Sequence, residues 1–198
     1  MAKISLELIQ ELREKTGVGM MDCKKALEEA NGDIQKAIEL LRKKGALIAE
    51  KRSGNVTAEG LIHAYIHPGA KVGVMLEINC ETDFVANTQE MKQFAHDICM
   101  HIAAFKPKYV SPEEVDQTFL ANEKRIFTEQ MAASGKPAAV INQIVEGKIK
   151  KLYNEICLME QPFVKNDKLT VNDVLKELIA KMGENIKIKR FTRFEIGA

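Results

Sequence analysis

The chain has 198 residues, 45% of them hydrophobic, and its 29 Lys and Arg nearly cancel its 28 Asp and Glu. That is enough apolar material for one good core or two unequal ones, and no low-complexity tract argues for disorder. The charge balance excludes a sequence-wide field that would draw the chain to nucleic acid or to an anionic membrane, which leaves a partner protein or a small molecule as the expected target.

Ser5 can cap a first helix carrying Leu6, Leu8, Ile9 and Leu12, and Gly17 ends it. Cys23, Ala26, Leu27 and Ala30 recur at i, i+3, i+4, i+7 and predict a second helix before Gly32. Asp33 caps a third, with Ile34, Ala37, Ile38 and Leu41 as its apolar stripe and Gly45 as its stop. Helices this short bury only a small core, which suits a compact three-helix module better than an enzyme. The turn before the second helix, TGVGMMDC, sets Met20 beside Met21. Adjacent helical positions do not share one narrow stripe, so at least one of the two is expected to be partly exposed. Methionine makes soft, adaptable contacts, yet on the residues alone both could equally fill gaps in a small core.

Residues 46–60, ALIAEKRSGNVTAEG, lose the stripe and gather Ser, Gly, Asn and Thr, as a linker would. A boundary near Ser53 separates an N-terminal module with its linker (1–53) from a second domain (54–198). GLIHAYIHPGAKVGVMLEINC then reads as a β-hairpin turning at Pro68 and Gly69. Asn87 with Glu90 resembles a capping box for a helix whose inward face is Met91, Phe94, Ala95, Ile98, Cys99 and Ile102. After KPKYVSP, helical patterns run from about Pro112 to Ser134 and from Pro137 to Glu160, long enough to pack as a pair. Pro162 interrupts, Thr170 with Asp173 opens another helix, and Gly183 stops it. NIKIKRFTRFEI alternates like a strand and would join the hairpin, giving a small antiparallel sheet covered by helices, an α+β fold.

Ordinary catalytic signatures are missing. The four cysteines are dispersed without a CxxC pair, and MAKISLELIQEL is amphipathic rather than secretory, so reduced thiols in a cytoplasm are expected. The longest apolar runs fall far short of a membrane span. His63, His67, His96, Cys99 and His101 have no metal-ligand spacing, and structural roles suit them better than a metal site. No GxSxG elbow or phosphate-binding GxxxxGK[ST] loop occurs, so neither an activated nucleophile nor a bound nucleotide or other cofactor is expected. EGKIKK and KIKR are basic, but acidic residues surround both and no aromatics interleave, which fits solvated faces rather than direct nucleic-acid contact.

ETDFVAN, residues 81–87, resists a bland account. If the strand ends near Cys80 and the helix begins after Asn87, Thr82 to Ala86 form a short projecting connection of the kind that carries function. By pattern alone, Phe84 folding back as a lid over the hairpin is somewhat favoured over projection. Glu81 and Asp83 form a carboxylate pair with no His, Lys or Tyr to join them in acid–base work.

These stretches are where a family resemblance lies. LREKTGVGMMDCKKALEEANGDIQKAIELLRKKG (12–45), LEINCETDFVAN (76–87) and the ending GENIKIKRFTRFEIG resemble the bacterial elongation factor Ts family, the guanine-nucleotide exchange factors for elongation factor Tu. MHIAAFKPKYVSPEEV and SGKPAAVINQIVEGKIKKLYNEICLMEQPFV extend the likeness to nearly the whole chain. The resemblance implies an N-terminal module similar to ubiquitin-associated domains that docks on the nucleotide-binding domain of elongation factor Tu, with Leu12, Met20 and Met21 as docking residues. It implies that Thr82, Asp83, Phe84 and Val85 form an intruding element that loosens bound GDP near the partner's magnesium and phosphates, so the partner is met both GDP-bound and nucleotide-free. Longer members have a core of two related halves and an inserted helical hairpin. This chain is similar to the short form, which implies that two chains pair as a homodimer. The rival expectation is an adaptor with a three-helix peptide-binding module and no exchange activity.

Overall fold

The computed structural model describes residues 4–132 and 137–197. In chain order the elements are α1 (Leu6–Thr16), α2 (Met20–Glu29), α3 (Ile34–Arg52), β1 (Glu59–Ile66), β2 (Val72–Cys80), α4 (Asp83–Ala86) and α5 (Gln89–Phe105). They continue with α6 (Gln117–Ala132), α7 (Ala138–Ile156), β3 (Pro162–Phe163), β4 (Asn166–Thr170), α8 (Val171–Met182) and β5 (Ile186–Glu195). The chain divides into two compact units, one built from residues up to Leu61 with Ile78–Gln93 and Asp173–Lys187, the other from Ile62–Glu77, Phe94–Asn172 and Ile188 onward. The mixed architecture is the α+β fold expected, with a small antiparallel sheet ordered β1-β2-β5.

The first unit begins with the three expected helices. Ser5 accepts from the Leu8 N–H and Asp33 from the Lys36 N–H, so both caps are occupied. Ile9, Leu12, Cys23, Ala26, Leu27, Ala30, Ala37 and Leu41 make their shared core. Gly45, however, does not stop α3, which runs on to Arg52. The glycine is there for close packing: it is buried, and a Cβ on it would come within 3.1 Å of the Ala180 Cβ on α8. The stretch from Ala46 to Arg52, expected as linker, is therefore helix. Gly60 answers a second close approach, since at φ 154° its missing side chain avoids a collision with the Ile78 carbonyl on β2.

In the second unit the hairpin turns where expected, with the His67 N–H donating to the Val72 carbonyl and the Ala70 N–H to the His67 carbonyl, both at 2.9 Å. Phe94, Ala95, Ile98, Cys99 and Ile102 of α5 are all buried. α6 and α7 pair, Lys148 reaching Gln130 at 3.1 Å and lying 5.0 Å from the Phe127 ring centre. The segment from Pro112 opens as a single 3-10 turn to Glu114, and α6 starts only at Gln117, where the Asp116 carboxylate accepts the Phe119 N–H at 2.8 Å. Its expected end at Ser134 lies outside the described residues. α7 closes at Ile156, before the expected Glu160, because Leu158–Glu160 tightens into a 3-10 turn. β3 and β4, an antiparallel pair with Pro162 opposite Thr170, were not expected, and Thr170 ends a strand immediately before α8.

Candidate partner-binding site

ETDFVAN is neither plain loop nor lid. β2 ends at Cys80, and Thr82, still extended at φ −130°, puts its hydroxyl oxygen 3.4 Å from the Val85 N–H and so caps the single turn α4. Asn87 closes that turn, its side-chain amide donating to the Asp83 carbonyl at 2.9 Å. Being committed there, it does not open α5. The cap is Thr88, whose hydroxyl accepts the Met91 N–H at 3.2 Å, and Glu90 turns instead to Lys181 at 3.2 Å.

One helical turn sorts four side chains by direction. Val85 and Ala86 point inward and are buried, while Asp83 is exposed and Phe84 is 82% exposed. The lid favoured by pattern is thereby overturned: the inward side of the turn is filled by Val85 and Ala86, and the ring has only the outward side. Leaving a phenyl ring in water forgoes about 1.5–3 kcal/mol of burial.

The turn is anchored from behind. Both donors of Thr82 go to one carboxylate: its N–H to Glu184 Oε2 at 3.0 Å and its hydroxyl to Glu184 Oε1 at 2.7 Å. Glu81 accepts the Asn185 N–H at 2.6 Å, the Asn55 amide at 3.0 Å to each oxygen, and Arg52 at 3.5 Å. The Asn185 N–H, the Asn55 amide and Arg52 hold the Glu81 carboxyl below the usual carboxylate range. Asn185, 2% exposed, sends its own side chain to the carbonyls of Ser53 at 3.3 Å and Asn55 at 2.8 Å. Glu81 is thus an acceptor that fixes backbone, and Asp83 faces solvent, so the two are not a working acid–base pair. Glu184 and Asn185 lie more than 100 positions from their partners, and in the sequence they look only like turn residues after a helix stop.

The three residues expected to dock are placed differently. Leu12 is fully buried at 0% exposure in the core of the three-helix module. Its position on the inward stripe of α1 requires that burial. Met20 is half-buried against the same core. Met21 is 66% exposed. The split meets the expectation that adjacent methionines would not both enter the stripe.

All four cysteines are buried and free. His63, Tyr65, His67 and His96 pack their rings edge to face, and His101 is fully buried. Among the described residues no group of three or more His, Cys, Asp or Glu is gathered to hold a metal, and no helix is long and apolar enough to cross a membrane. The second unit leaves Ile62, Ile66, Met75 and Phe194 of the sheet strands exposed, while Val74 and Leu76 beside Met75 are buried.

A family model described as elongation factor TS matches residues 6–198. Curated relatives include an elongation factor Ts of Carboxydothermus hydrogenoformans, 56% identical over 194 residues that cover 98% of this chain and 89% of the relative. That of Caldanaerobacter subterraneus subsp. tengcongensis is also 56% identical, covering 98% and 97%. That of Desulfotalea psychrophila is 55% identical, covering 98% and 99%.

Proposed function

The chain belongs to the elongation factor Ts family, and on that footing we propose that it releases GDP from elongation factor Tu by driving Asp83 and Phe84 against the loops that hold the partner's magnesium and phosphates. Nucleotide exchange makes and breaks no covalent bond, so the chain acts on a binding equilibrium and its rates. The observation that carries the reading is the Phe84 ring, 82% exposed on a turn whose base is tied down by Thr82.

GDP is held through its phosphates by a metal ion and ordered backbone donors, so shifting the elements that carry those groups weakens several charge-assisted contacts together. The ring supplies displacement and Asp83 brings a negative charge beside groups that hold a phosphate. Each tenfold gain in release needs about 1.4 kcal/mol off the barrier, and burying one Phe yields about 1.5–3. The ring alone gives one to two decades. Further acceleration draws on docking energy from the three-helix module, where Met21, with Met20 beneath it, meets the partner's nucleotide-binding domain.

The partner is engaged both with GDP and after GDP has left, in the cytoplasm where translation runs. Two copies pair as a homodimer, for which the exposed Ile62, Ile66, Met75 and Phe194 supply apolar surface; a monomer mass by light scattering at working concentration refutes this part. The exchange mechanism is tested by mixing the chain with elongation factor Tu loaded with a fluorescent GDP and timing release. Acceleration that rises to a plateau with added chain is expected. Binding without acceleration assigns the chain to the adaptor class instead.

A further inference from the structure

Building on the exchange reading above, we propose that Glu184 is the positioning residue of the exchange element: its carboxylate sets the orientation of α4, and the turn it belongs to joins that helix to the end of α3. Four residues of helix do not persist in water on their own, because nucleation fixes several dihedrals for one hydrogen bond. α4 therefore leans on what holds its N-cap, Thr82. A hydroxyl has one proton and two lone pairs. At Thr82 the proton goes to Glu184 Oε1 and the oxygen is the acceptor for the Val85 N–H, so the carboxylate decides where the capping lone pair points. The second carboxylate oxygen takes the Thr82 N–H, leaving that peptide no freedom to rotate away.

The next residue extends the fixture. Asn185 holds Glu81 through its backbone N–H, and its buried side chain holds the Ser53 and Asn55 carbonyls just past α3. One turn between α8 and β5 thus grips the residue on which α4 starts, the residue before it, and the exit of the helix that belongs to the docking module. All of these groups lie within the first compact unit. A wedge whose mount yielded on contact would dissipate docking energy in its own rotation; a mount fixed at four backbone groups transmits it to the ring.

Glu184→Gln keeps the volume but offers one acceptor and one donor, so one donor of Thr82 faces an NH₂ group. The test uses Glu184→Gln and Glu184→Ala, with Glu177→Gln, which loses only an exposed pair with Arg42, as the control. In the free chain, amide hydrogen exchange by NMR is expected to speed up about tenfold or more at Thr82 and Val85 in both Glu184 variants, with the α1–α3 core amides unchanged. In titrations against GDP-loaded elongation factor Tu, the maximal release rate is expected to fall about tenfold, with the half-saturating concentration within about twofold of wild type. The control should match wild type in both. Wild-type protection at Thr82 overturns the proposal, as does a wild-type maximal rate or a loss confined to half-saturation. If the wild-type chain gave no acceleration, the exchange reading would fall, and the amide measurement would still decide whether Glu184 holds α4. If Glu184→Ala unfolds, the isosteric Gln variant carries the comparison.

Discussion

Phe84→Ala isolates the proposed wedge because the ring is largely exposed in the free chain. At 82% exposure it contributes nothing to the core, and alanine is the better helix former, so unfolding free energy should stay within about 0.5 kcal/mol of wild type. The loss must then appear in the complex. Removing a ring worth about 1.5–3 kcal/mol when buried lowers the plateau rate of GDP release by about 10- to 100-fold. How the loss divides is diagnostic. A ring that acts while the phosphate site is being displaced lowers the plateau and leaves half-saturation nearly unchanged, whereas a ring that merely adheres raises half-saturation and leaves the plateau alone. Phe84→Leu, which keeps bulk but not the flat ring, should fall between. Stopped-flow release of a fluorescent GDP over a range of chain concentrations reads both quantities. A wild-type plateau in Phe84→Ala refutes the wedge, whatever happens to affinity.

Met21→Ala should weaken docking by about fivefold or more with little change in melting temperature, while Met20→Ala, whose side chain lines the module's core, should lower melting temperature as well. Unchanged affinity by calorimetry in the double variant removes the contact. Burial holds His101 below the ordinary imidazole pKa, and its Nδ1 accepts the Val164 N–H at 3.2 Å, so the native ring is neutral. The unfolded chain therefore takes up a proton that the folded one refuses as pH falls below about 6.5. Urea stability should drop between pH 7.5 and 5.5, less steeply in His101→Gln, and an equal drop refutes the assignment. Burial pushes the Cys99 thiol up to about 12 and the Cys157 thiol up to about 11. A thiol reagent at neutral pH should label none of the four cysteines until denaturant is added, and stoichiometric labelling of the native chain would contradict their burial.

What could be read from residues in line was whatever local chemistry decides. Ser5, Asp33, Gly17 and Gly183 mark helix ends because caps and left-handed stops act within a few positions, and the apolar stripe of α5 is legible because its period is. Gly45 misled because a glycine that admits a neighbouring helix has the same symbol as one that ends its own, and Ala180 lies 135 positions away. Thr88 replaces Asn87 as a cap for a similar reason: Asn87 was already engaged with Asp83 in a turn too short to leave a periodic signal. TDFV stands out in the sequence, but the direction of its ring does not, since one turn of helix versus loop reverses which side chains meet the core. Glu184 and Asn185 could not be paired with Thr82 and Glu81 without the tertiary fold, because nothing in sequence spacing ties a turn after α8 to the exit of β2.

Under the proposed wedge role, the exposure of Phe84 in the free chain and its usefulness in the complex are one quantity seen twice. A conformer with the ring folded back, if it dominated, would be stabilised by the same burial that the partner offers, and apparent affinity would fall by the fraction of chains left with the ring outward. Val85 and Ala86 fill the inner side of α4 and Thr82 is held at its base, so that competing conformer would have to displace them. On the proposed mechanism the free energy of burying the ring is then kept for the encounter. Linkage then sets its limit: by whatever factor the bound chain weakens GDP, GDP weakens the chain. A factor that only bound more tightly would stall on the emptied partner. On the proposed mechanism, dividing the contact between an exposed ring on a stiff mount and a separate docking surface would let GDP loosen while the complex still comes apart when nucleotide returns.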